Sequence, residues 1–478
     1  MLRTRRDFLS TSTAIAAGLA ATSIRAQPYR QPVLEKLRVG VVGFRGRGKA
    51  LINAVNKSDS AIVVALADVD KKILAIQNKG RTELFRTGDF REILDRKDID
   101  IIVSATPNHW HALLTVMAVQ AGKHVYIEKP ISHNMFESEA VVAAAQKYGK
   151  LVQCGFQNRS DNSLMEFYQR LGAGEFGAVL SVQGTCHRPR ASIGKLDKPL
   201  SIPSHIDYSL WLGPAADESI FRSRFHYDWH WDFNTGNGDV GNQGPHEWDL
   251  MNWALGDTST LPTSIRAAGN RFGWNDAGNT PNVMAVAGVK DGIAFTFEVM
   301  DLKPGCKAPQ GMGVGVIIET EKGSFVGGRG GGKFTSKDGG VVNFKKAAKW
   351  DSTNEHMQNF FDSVLANDRG KLRSDCRVAA KSCSMAHMAN ISYRLGAEAD
   401  TEEIKEAFLG QRLSTEMVGR LAQAPAIFDS KLAQPSWMLG PELTYSNTTN
   451  TFEGDVASQA SALTKRKKYR PGFEFPVV

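Results

Sequence analysis

Three short stretches carry side chains that could transfer protons or bind a polar ligand. They are SATPNHWHA at 104–112, IEKPIS at 127–132 and GNGDVGNQGPHEWDLMNWALG at 236–256. Lys129 follows an apolar run and precedes a proline, and a lysine in a cleft serves as an acid or base when burial lowers its pKa. His246 follows a glycine-rich loop that opens a helix. Each stretch comes at the end of a predicted strand, where ligands of open α/β sheets bind, so we predict that the three form one site.

Residues 37–48, LRVGVVGFRGRG, predict where a dinucleotide binds. An apolar strand-like run ends in a turn that holds Gly43, Gly46 and Gly48, and a helical pattern follows. Glycines let the backbone approach a pyrophosphate closely, and the free N–H groups of the first helical turn point at the anion. Arg45 stands where the common motif has its middle glycine, so a plain tight turn stays an alternative.

A second buried run, AIVVALADVD at 61–70, ends near Asp68, 25 residues after Gly43. An acidic residue close to this spacing binds the adenosine ribose of NAD. A carboxylate there repels a 2′-phosphate, so the sequence favours NAD over NADP. The alternative is that Asp68 merely starts the next helix.

Composition sets the class of protein. The chain has 478 residues, is 42% hydrophobic and 23% charged, and carries a net charge of +8, which is ordinary for a soluble globular protein of two or three domains. Apart from KRKK at 465–468 there is no long basic stripe, so we expect no nucleic-acid partner. The five cysteines form no CxxC pair, which indicates neither a zinc site nor a disulfide framework. We predict no metal.

The first 26 residues predict a twin-arginine signal peptide rather than folded structure. Thr4-Arg5-Arg6-Asp7-Phe8-Leu9 is followed by a mild apolar run over 14–24 and by the small residue Ala26. That run is too short and too weakly apolar for a membrane span. We therefore expect export to the periplasm of a protein that has already folded and bound its cofactor. A disordered segment or an uncleaved anchor stays an alternative.

The pattern of elements predicts an α/β protein with two kinds of sheet. Strands and helices alternate up to about residue 152, which predicts a doubly wound parallel sheet, the Rossmann domain of residues 27–152. Adjacent β-rich runs joined by short turns then predict an α+β domain with an open, mostly antiparallel sheet over 153–396. We expect 397–478 to be an extension draped over the body, and FVGGRGGGKF at 325–334 to be a flexible surface loop.

Taken together, TPNHWH, the EKP triplet and the glycine loop that leads to His246 resemble the Gfo/Idh/MocA family of glucose–fructose oxidoreductase and inositol dehydrogenase. The resemblance extends over about 37–396, and GFQNRS, HIDYSLWLGP and HMANISYRLG add to it. The exported, twin-arginine-tagged branch is the most similar. The resemblance implies NAD(P) bound between two domains, sugar or cyclitol chemistry at a ring carbon, and a homo-oligomer.

In that family the lysine of EKP and the histidine of the glycine loop are the acid–base pair, and they map onto Lys129 and His246. The family often has aspartate four residues before the histidine, where this chain has Asn242. Asparagine orients a hydroxyl but neither carries charge nor accepts a proton at neutral pH. The cofactor-binding residues are then predicted to be Gly43, Phe44, Arg45, Gly46, Gly48, Asp68, Thr106, Pro107, Asn108, His111, Glu128 and Lys129. The predicted substrate-binding residues are Arg159, Trp229, Trp231, Asn242 and His246.

Structural roles stay open for several of these side chains. Lys129 and His246 could serve only in a salt bridge or at a helix start. At least one of His109 and His111 is expected to be structural, and His111 is the better candidate to face the nicotinamide. Arg159 fits substrate binding or the domain interface equally.

The run RSRFHYDWHWDF at 222–233 allows two interpretations. Its alternating His and Asp residues would share one face of a strand and could bind a metal, which the family resemblance does not require. Its interleaved aromatic residues suit stacking on a sugar ring, with packing against the sheet as the alternative.

Export constrains the reaction, because soluble partners outside the cytoplasm do not reoxidise NADH. We therefore predict a tightly held, internally recycled cofactor. The first hypothesis is an NAD-dependent sugar or cyclitol oxidoreductase. The second is a redox-neutral NAD-dependent glycoside hydrolase or lyase of the same fold. The third is a carbohydrate-binding protein without turnover.

Overall fold

The structure, a computed structural model, describes residues 36–76, 84–303, 305–423, 436–476 and 478. The predicted signal peptide, 1–26, lies outside the described residues. Residues from Lys36 onward form one compact unit. In these described ranges, every helix is too short or too polar to cross a bilayer.

The first sheet consists of six parallel strands with the spatial order β3-β2-β1-β4-β5-β6. Most of its residues are apolar on both faces, because helices cover the sheet on either side. The doubly wound parallel sheet is thereby confirmed. Its strands are β1 (Leu37–Val42), β2 (Ala61–Ala67), β3 (Phe85–Thr87), β4 (Ile101–Ser104), β5 (His124–Ile127) and β6 (Val152–Cys154).

The helices between these strands are α1 (Gly46–Lys57), α2 (Lys71–Ile76), α3 (Arg91–Asp95), α4 (Asn108–Gln120) and α5 (Met135–Lys147). Helix α1 is amphipathic and buries Leu51, Ile52 and Val55 against the sheet. Helix α4 is buried along nearly its whole length. Both helices begin at the carboxyl ends of strands, which places their N-termini at one edge of the sheet.

The second sheet has twelve strands within the described residues, with the order β14-β13-β12-β11-β7-β10-β9-β8-β16-β15; β17 pairs with β8, and β18 pairs with β17. Among these described strands only the pairing of β7 with β10 is parallel, so the mostly antiparallel sheet is confirmed. The strands are β7 (Val179–Cys186), β8 (Ser264–Asn270), β9 (Val283–Lys290), β10 (Ile293–Met300), β11 (Val314–Thr320), β12 (Gly323–Gly328), β13 (Gly331–Ser336), β14 (Val341–Lys345), β15 (Ala397–Ala399), β16 (Trp437–Leu439), β17 (Leu443–Ser446) and β18 (Thr451–Glu453).

The remaining helices are α6 (Asn162–Gly172), α7 (Tyr208–Leu212), α8 (Gly238–Asn242), α9 (Pro245–Ala254), α10 (Ser352–Leu365), α11 (Cys376–Arg394), α12 (Thr401–Ala407), α13 (Arg412–Leu421) and α14 (Ala457–Ala462). Short 3-10 helices cover Gln157–Ser160, Asp228–Trp231, Pro309–Gly311 and Arg369–Lys371. Trp248 of α9 is fully buried and its ring stacks on that of Phe297 in β10, with 4.1 Å between centroids. This contact seats α9 on the second sheet and fixes the position of His246.

The stretch 325–334 is not a flexible loop, contrary to the prediction. It forms most of the hairpin of β12 and β13, which turns at Arg329 and Gly330. The rings of Phe325 and Phe334 are buried on the core side. A Cβ on Gly327 or on Gly332 would lie 2.4 Å from the ring of Phe325, so these glycines make room for that side chain. Glycine is used here for packing rather than for freedom of the backbone.

The prediction of a draped extension over 397–478 is also wrong. Strand β16 pairs with β8 and β15, and β17 pairs with β8, so this part of the chain completes the second sheet. The chain also returns to the first sheet earlier. Phe360 and Phe361 of α10 share one hydrophobic cluster with Val39 and Val63 of β1 and β2. Both sheets therefore depend on residues from distant parts of the sequence.

Candidate active site

A cleft of about 560 Å³ opens at the carboxyl ends of the first sheet's strands. Residues of the 210–229 region form its opposite wall. Twelve of the predicted site residues line it: Gly43, Arg45, Gly46, Asp68, Thr106, Pro107, Asn108, His111, Glu128, Lys129, Trp229 and Asn242. The other five, Phe44, Gly48, Arg159, Trp231 and His246, do not contribute to its lining. The structure thus brings together stretches that are more than a hundred residues apart.

The glycine turn leaves room for a phosphate. Gly43 has φ +71°, and α1 begins at Gly46, whose φ is +43° and whose missing Cβ would meet nothing within 4 Å. A Cβ on Gly48 would lie 2.0 Å from the carbonyl oxygen of Gly43, so glycine there permits close packing of α1 on β1. The first turn of α1 has no side-chain cap and no acidic residue, which leaves the N–H groups of Gly46 and Arg47 available for an anion, while that of Gly48 donates to the carbonyl oxygen of Arg45 at 3.0 Å. The residues present therefore fit a dinucleotide pyrophosphate.

Asp68 lies beside this turn, directly after β2. Its Oδ2 accepts the N–H of Phe44 at 3.1 Å, and its Oδ1 accepts the N–H of Asp70 at 3.0 Å. The side chain of Phe44 is itself buried in the core. Burial raises the pKa of Asp68 above its ordinary value. A carboxyl group held here can accept a ribose hydroxyl, as the sequence predicts.

Lys129 follows β5 and lines the cleft, whereas His246 lies in the first turn of α9, near enough for the charge of Lys129 to act on it. The Nζ of Lys129 donates to the carbonyl oxygen of Asn242, the last residue of α8, at 2.7 Å. Burial lowers the pKa of Lys129, although the charge of Glu128 acts in the opposite direction. His246 is 6% exposed, its Nδ1 lacks a hydrogen-bond partner, and its ring lies 6.2 Å from that of Phe156.

Burial lowers the pKa of His246 well below its ordinary value, and the charge of Lys129 adds to that effect. At neutral pH His246 is therefore a neutral imidazole, with one N–H donor and one acceptor nitrogen. The site thus pairs a lysine that loses its proton more easily than usual with an uncharged histidine. This is a set of groups that can remove a hydroxyl proton and bind the oxygen left behind.

The side chain of Asn242 is hydrogen-bonded to Asp239, a residue that the sequence alone did not single out. Its Nδ2 donates to Oδ1 of Asp239 at 3.0 Å. Asp239 is fully buried and accepts two bonds from Arg190, at 2.6 and 2.9 Å. Asp239 lies in the quoted loop GNGDVGN, but its role depends on Arg190, which is 49 residues away. This chain of bonds orients the amide of Asn242 beside Lys129.

Arg47 is a second residue of the site that the sequence alone did not single out. It lines the cleft, and its Nε donates to Oε1 of Glu128 at 2.7 Å. Gln157 donates to the same oxygen at 3.0 Å. Burial by itself would raise the pKa of Glu128, but Arg47 and Lys129 outweigh it and hold that pKa below its ordinary value. The ion pair of Arg47 with Glu128 therefore links the glycine turn to the residue that precedes Lys129.

The two histidines of TPNHWH form hydrogen bonds with main-chain carbonyl oxygens of other segments. His109 is fully buried between the carbonyl oxygens of Trp211 at 2.9 Å and Thr235 at 3.2 Å, and burial lowers its pKa to about 3. His111 lines the cleft, but its ring nitrogens face the carbonyl oxygens of Pro130 at 2.5 Å and Thr106 at 2.8 Å. His111 therefore connects the loop after β4 to the loop that carries Lys129.

Two predicted substrate residues are corrected. Arg159 is 5% exposed, and its guanidinium donates to both carboxylates of Asp249 and Asp257 at 2.7 to 2.9 Å, so its donors are already used. Trp231 is 2% exposed and lies under the guanidinium of Arg271, 4.7 Å from the ring centroid. Arg159 and Trp231 therefore have structural roles, the first in a buried ion-pair network and the second in a cation–π contact. Within the run 222–233, Tyr227 and Trp229 are aromatic residues that line the cleft.

The segment 222–233 is not a strand, so its His and Asp residues do not share a face. A 3-10 helix covers Asp228–Trp231, and Tyr227 before it has φ +72°. His226 binds Asp70 at 2.9 Å, whereas His230 binds the carbonyl oxygen of Tyr227 at 2.6 Å. Among the described residues, His226, Asp228, His230 and Asp232 therefore do not form a set of metal ligands.

Among the described residues, one other group has metal-ligand character: Cys186, Asp239 and Asp301, with ligand atoms within 4.8 Å of one another. Arg190 already pairs with Asp239 in that group. Asp301 has no such partner among the residues that the structure describes, and burial raises its pKa well above the ordinary value.

A Rossmann sheet with an open glycine turn and a lysine at a strand end defines a dinucleotide-binding α/β protein. Residues 37–156 match the oxidoreductase family with an NAD-binding Rossmann fold, and residues 191–427 match the C-terminal alpha/beta domain of that family. The chain belongs to the Gfo/Idh/MocA oxidoreductase family.

Two curated proteins with different names are similar to part of this chain. Inositol 2-dehydrogenase of Salmonella paratyphi B is 29% identical over 183 residues, which are 37% of this chain and 54% of that protein. Glycosyl hydrolase family 109 protein 2 of Shewanella sp. strain ANA-3 is 32% identical over 167 residues, 30% of this chain and 37% of that protein. The chain thus spans about half the length of the first relative and about a third of the second.

Solved structures share the fold over most of their length. The WlbA dehydrogenase of Bordetella pertussis, solved with NADH and UDP-GlcNAcA, aligns with a TM-score of 0.54 and 20% identity over 74% of this chain and 95% of its own. Levoglucosan dehydrogenase, solved with NADH and levoglucosan, aligns with a TM-score of 0.56 and 18% identity over the same shares, 74% and 95%. At these identities the likeness establishes the fold.

Proposed function

We propose that this protein is an NAD(P)-dependent oxidoreductase that acts on a CH–OH group of a sugar or cyclitol. The observation that carries the proposal is the cleft itself, which runs from the glycine turn at Gly43 to the contact between Lys129 and Asn242. The similarity to inositol 2-dehydrogenase supports the same reaction class. Trp229 and Tyr227 provide aromatic faces at the cleft for a sugar ring.

The residues that would hold the cofactor are the backbone at Gly43 and Gly46, the first turn of α1, and Asp68. Asp68 favours NAD, because a 2′-phosphate would face a carboxyl group held at that position. When bound, the dinucleotide supplies the hydride acceptor. The cleft is walled by the 210–229 region, which supports a cofactor that stays bound through the catalytic cycle.

The chain's own residues account for the proton transfer. A lowered pKa leaves more of Lys129 as the neutral amine, which accepts the hydroxyl proton at Nζ. The carbonyl oxygen of Asn242 orients that Nζ. The neutral imidazole of His246 forms a hydrogen bond with the substrate oxygen, and the amide of Asn242, held by Asp239, orients a neighbouring hydroxyl.

The test measures nucleotide content and turnover together. Mass spectrometry of the undialysed protein is expected to detect NAD. Lys129→Met and His246→Gln are expected to reduce turnover of a sugar panel by about a hundredfold or more, with NAD still bound. Lys147→Met, which removes an exposed lysine of α5, is the control and should retain full turnover. Full activity of Lys129→Met would refute the assignment of the base.

A redox-neutral glycoside hydrolase or lyase is the second candidate, and the similarity to glycosyl hydrolase family 109 protein 2 favours it. The two candidates differ in their products. A net oxidoreductase yields an oxidised sugar and NADH from a free sugar, whereas the second activity releases the aglycone of a chromogenic glycoside with no net NADH. If both products are absent while a sugar still binds, the protein is a carbohydrate-binding protein.

A further inference from the structure

Two arginines are near enough to His246 for their charges to act on it. Arg188 follows β7, and its Nη1 donates to the side-chain oxygen of Gln243, three residues before the histidine. Arg329 forms the turn between β12 and β13, and its Nε donates to the side-chain oxygen of Asn158 at 3.3 Å. Asn158 follows shortly after Phe156, whose ring lies beside that of His246. Both arginines are exposed.

These two arginines have no carboxylate partner among the described residues, unlike three other arginines near the site. Arg47 pairs with Glu128, Arg190 pairs with Asp239, and Arg159 pairs with two aspartates. Arg188 and Arg329 are held instead by neutral amides, and neither forms an ion pair with any residue that the structure describes. A guanidinium presents five donors, so each retains free N–H groups for a ligand.

The charge balance around His246 leaves this part of the site positive. Both arginines, together with Lys129 and Arg47, depress the pKa of His246 after burial has lowered it. Glu247, the residue after His246, does not neutralise them at neutral pH, because burial raises the pKa of Glu247 to about 8. Among the described residues, its carboxyl group accepts only long hydrogen bonds from Gln243, at 3.4 and 3.5 Å. Glu128 is already paired with Arg47.

We propose that Arg188 and Arg329 bind the oxyanion group of an acidic sugar, either a carboxylate or a phosphate, while the ring is held at Lys129 and His246. Guanidinium groups match both oxyanions by paired N–H donors. The proposal rests on the proposed function for the identity of the ring, and it adds the class of substituent. The amides of Gln243 and Asn158 orient the two guanidinium groups without neutralising them.

The test compares sugars that differ only in the oxyanion. Glucuronate, glucose 6-phosphate and glucose are titrated into the NAD-loaded protein by calorimetry, and oxidation of each is followed by NADH absorbance. The wild-type protein is expected to bind one of the two acidic sugars at least about tenfold more tightly than glucose. Which of the two is preferred distinguishes a carboxylate site from a phosphate site.

Variants then assign the preference to the two arginines. Arg188→Gln and Arg329→Gln are each expected to reduce the ratio of acidic to neutral sugar affinity by about tenfold. Arg188→Lys should retain part of the ratio, because the charge remains. The matched control is Lys333→Gln, which removes one exposed positive charge from the same hairpin and should leave the ratio unchanged.

The outcomes separate this proposal from the proposed function. Oxidation of neutral sugars without any preference for acidic ones would overturn the oxyanion site and leave the oxidoreductase intact. A clear preference in binding without turnover of any sugar would support the oxyanion site and refute the oxidoreductase. An equal loss of preference in Lys333→Gln would show a general field effect and overturn the assignment to the two arginines.

Discussion

At the scale of single residues, the acid–base character of the site is set by burial and by partners distant in sequence. Lys129 loses its proton more easily because it is desolvated, and Glu128 restrains that effect. Arg47 in turn neutralises Glu128 through a 2.7 Å contact. The protonation of Lys129 therefore depends on a residue of the glycine turn, which connects nucleotide binding and proton transfer through two side chains.

Glu128→Gln is expected to shift the acidic limb of the pH profile of kcat/KM to lower pH by about one unit. Glu128 raises the pKa of Lys129, so its removal lowers that pKa and the neutral amine becomes available at lower pH. The profile is measured in single turnovers of the NAD-loaded protein, as the second-order rate constant for reduction of the bound NAD by the best sugar. Asp98→Asn, which changes an exposed carboxylate, is the control. A limb that moves to higher pH would contradict this account.

Asn242→Asp restores the residue more usual in the family and is expected to destabilise this protein. The new carboxylate would face Oδ1 of Asp239, now 3.0 Å from the amide nitrogen of Asn242. Two buried carboxylates raise the pKa of one of them, so the cost appears as that group ionises and grows with pH. We expect a loss of about 1–3 kcal/mol in the free energy of unfolding at pH 8 and a smaller loss at pH 5.

Urea unfolding at the two pH values measures this difference. The double variant Asn242→Asp with Asp239→Asn keeps a single carboxylate and should recover part of the loss at pH 8. An equal loss at both pH values would show that the cost is steric.

At the scale of elements, the C-terminal segment fastens one wall of the cleft. Leu210 and Trp211 of α7 line the cleft, and the indole N–H of Trp110 donates to the carbonyl oxygen of Leu210 at 2.8 Å. Arg470 donates to the carbonyl oxygen of Gly213, just after α7, at 3.0 Å. Phe473 packs edge-on against Trp110, with 5.6 Å between centroids. The last described residues thus brace α7 against α4.

Arg470→Ala is expected to release the bound dinucleotide faster, by about three- to tenfold, because α7 loses its anchor to the C-terminal segment. The measurement is the dissociation rate of NADH by stopped-flow fluorescence. Lys468→Ala, two residues earlier and exposed, is the control. An unchanged rate in Arg470→Ala would show that α7 is held without this contact.

At the scale of the whole molecule, the two sheets are interleaved along the chain. Helix α10, which packs on β1 and β2, follows most strands of the second sheet in the sequence. Strands β16 and β17, which complete the second sheet, come after α10. The first sheet therefore reaches its full core only when residues beyond 350 are present. Such a protein suits a route that transports folded chains, and we propose export by the twin-arginine route on the basis of residues 4–9.

Replacing Arg5 and Arg6 together by lysine is expected to retain the protein in the cytoplasm, with NAD bound and activity unchanged. Cell fractionation followed by blotting and nucleotide analysis measures both. The exported wild-type protein is expected to carry NAD as well, since it folds before transport. Equal amounts of the double variant and the wild-type protein in the periplasm would refute the route. The homo-oligomer remains a prediction, which light scattering tests.

The fold class and much of the cleft could be predicted from the sequence, because they depend on local patterns. Runs such as LRVGVV and AIVVALA encode buried strands by their apolar content, and the glycine turn encodes its backbone conformation within a few residues. Prediction failed where packing across the chain reversed a local preference. The glycines of 325–334 look flexible in isolation, but the ring of Phe325 fills the space that they leave.

What the sequence by itself determined is therefore the parallel sheet, the open sheet that follows and the glycine turn, and it also singled out Lys129 and His246, whose roles stay predictions. Only the tertiary structure decided that Arg159 and Trp231 have structural roles. It also decided that Asp239, paired with Arg190, orients the side chain of Asn242. Finally, it decided that Arg188 and Arg329 contact neutral amides and not carboxylates. The physical reason is that an ion pair or a packed ring depends on which residues meet in space, and these partners lie from tens to nearly two hundred residues apart.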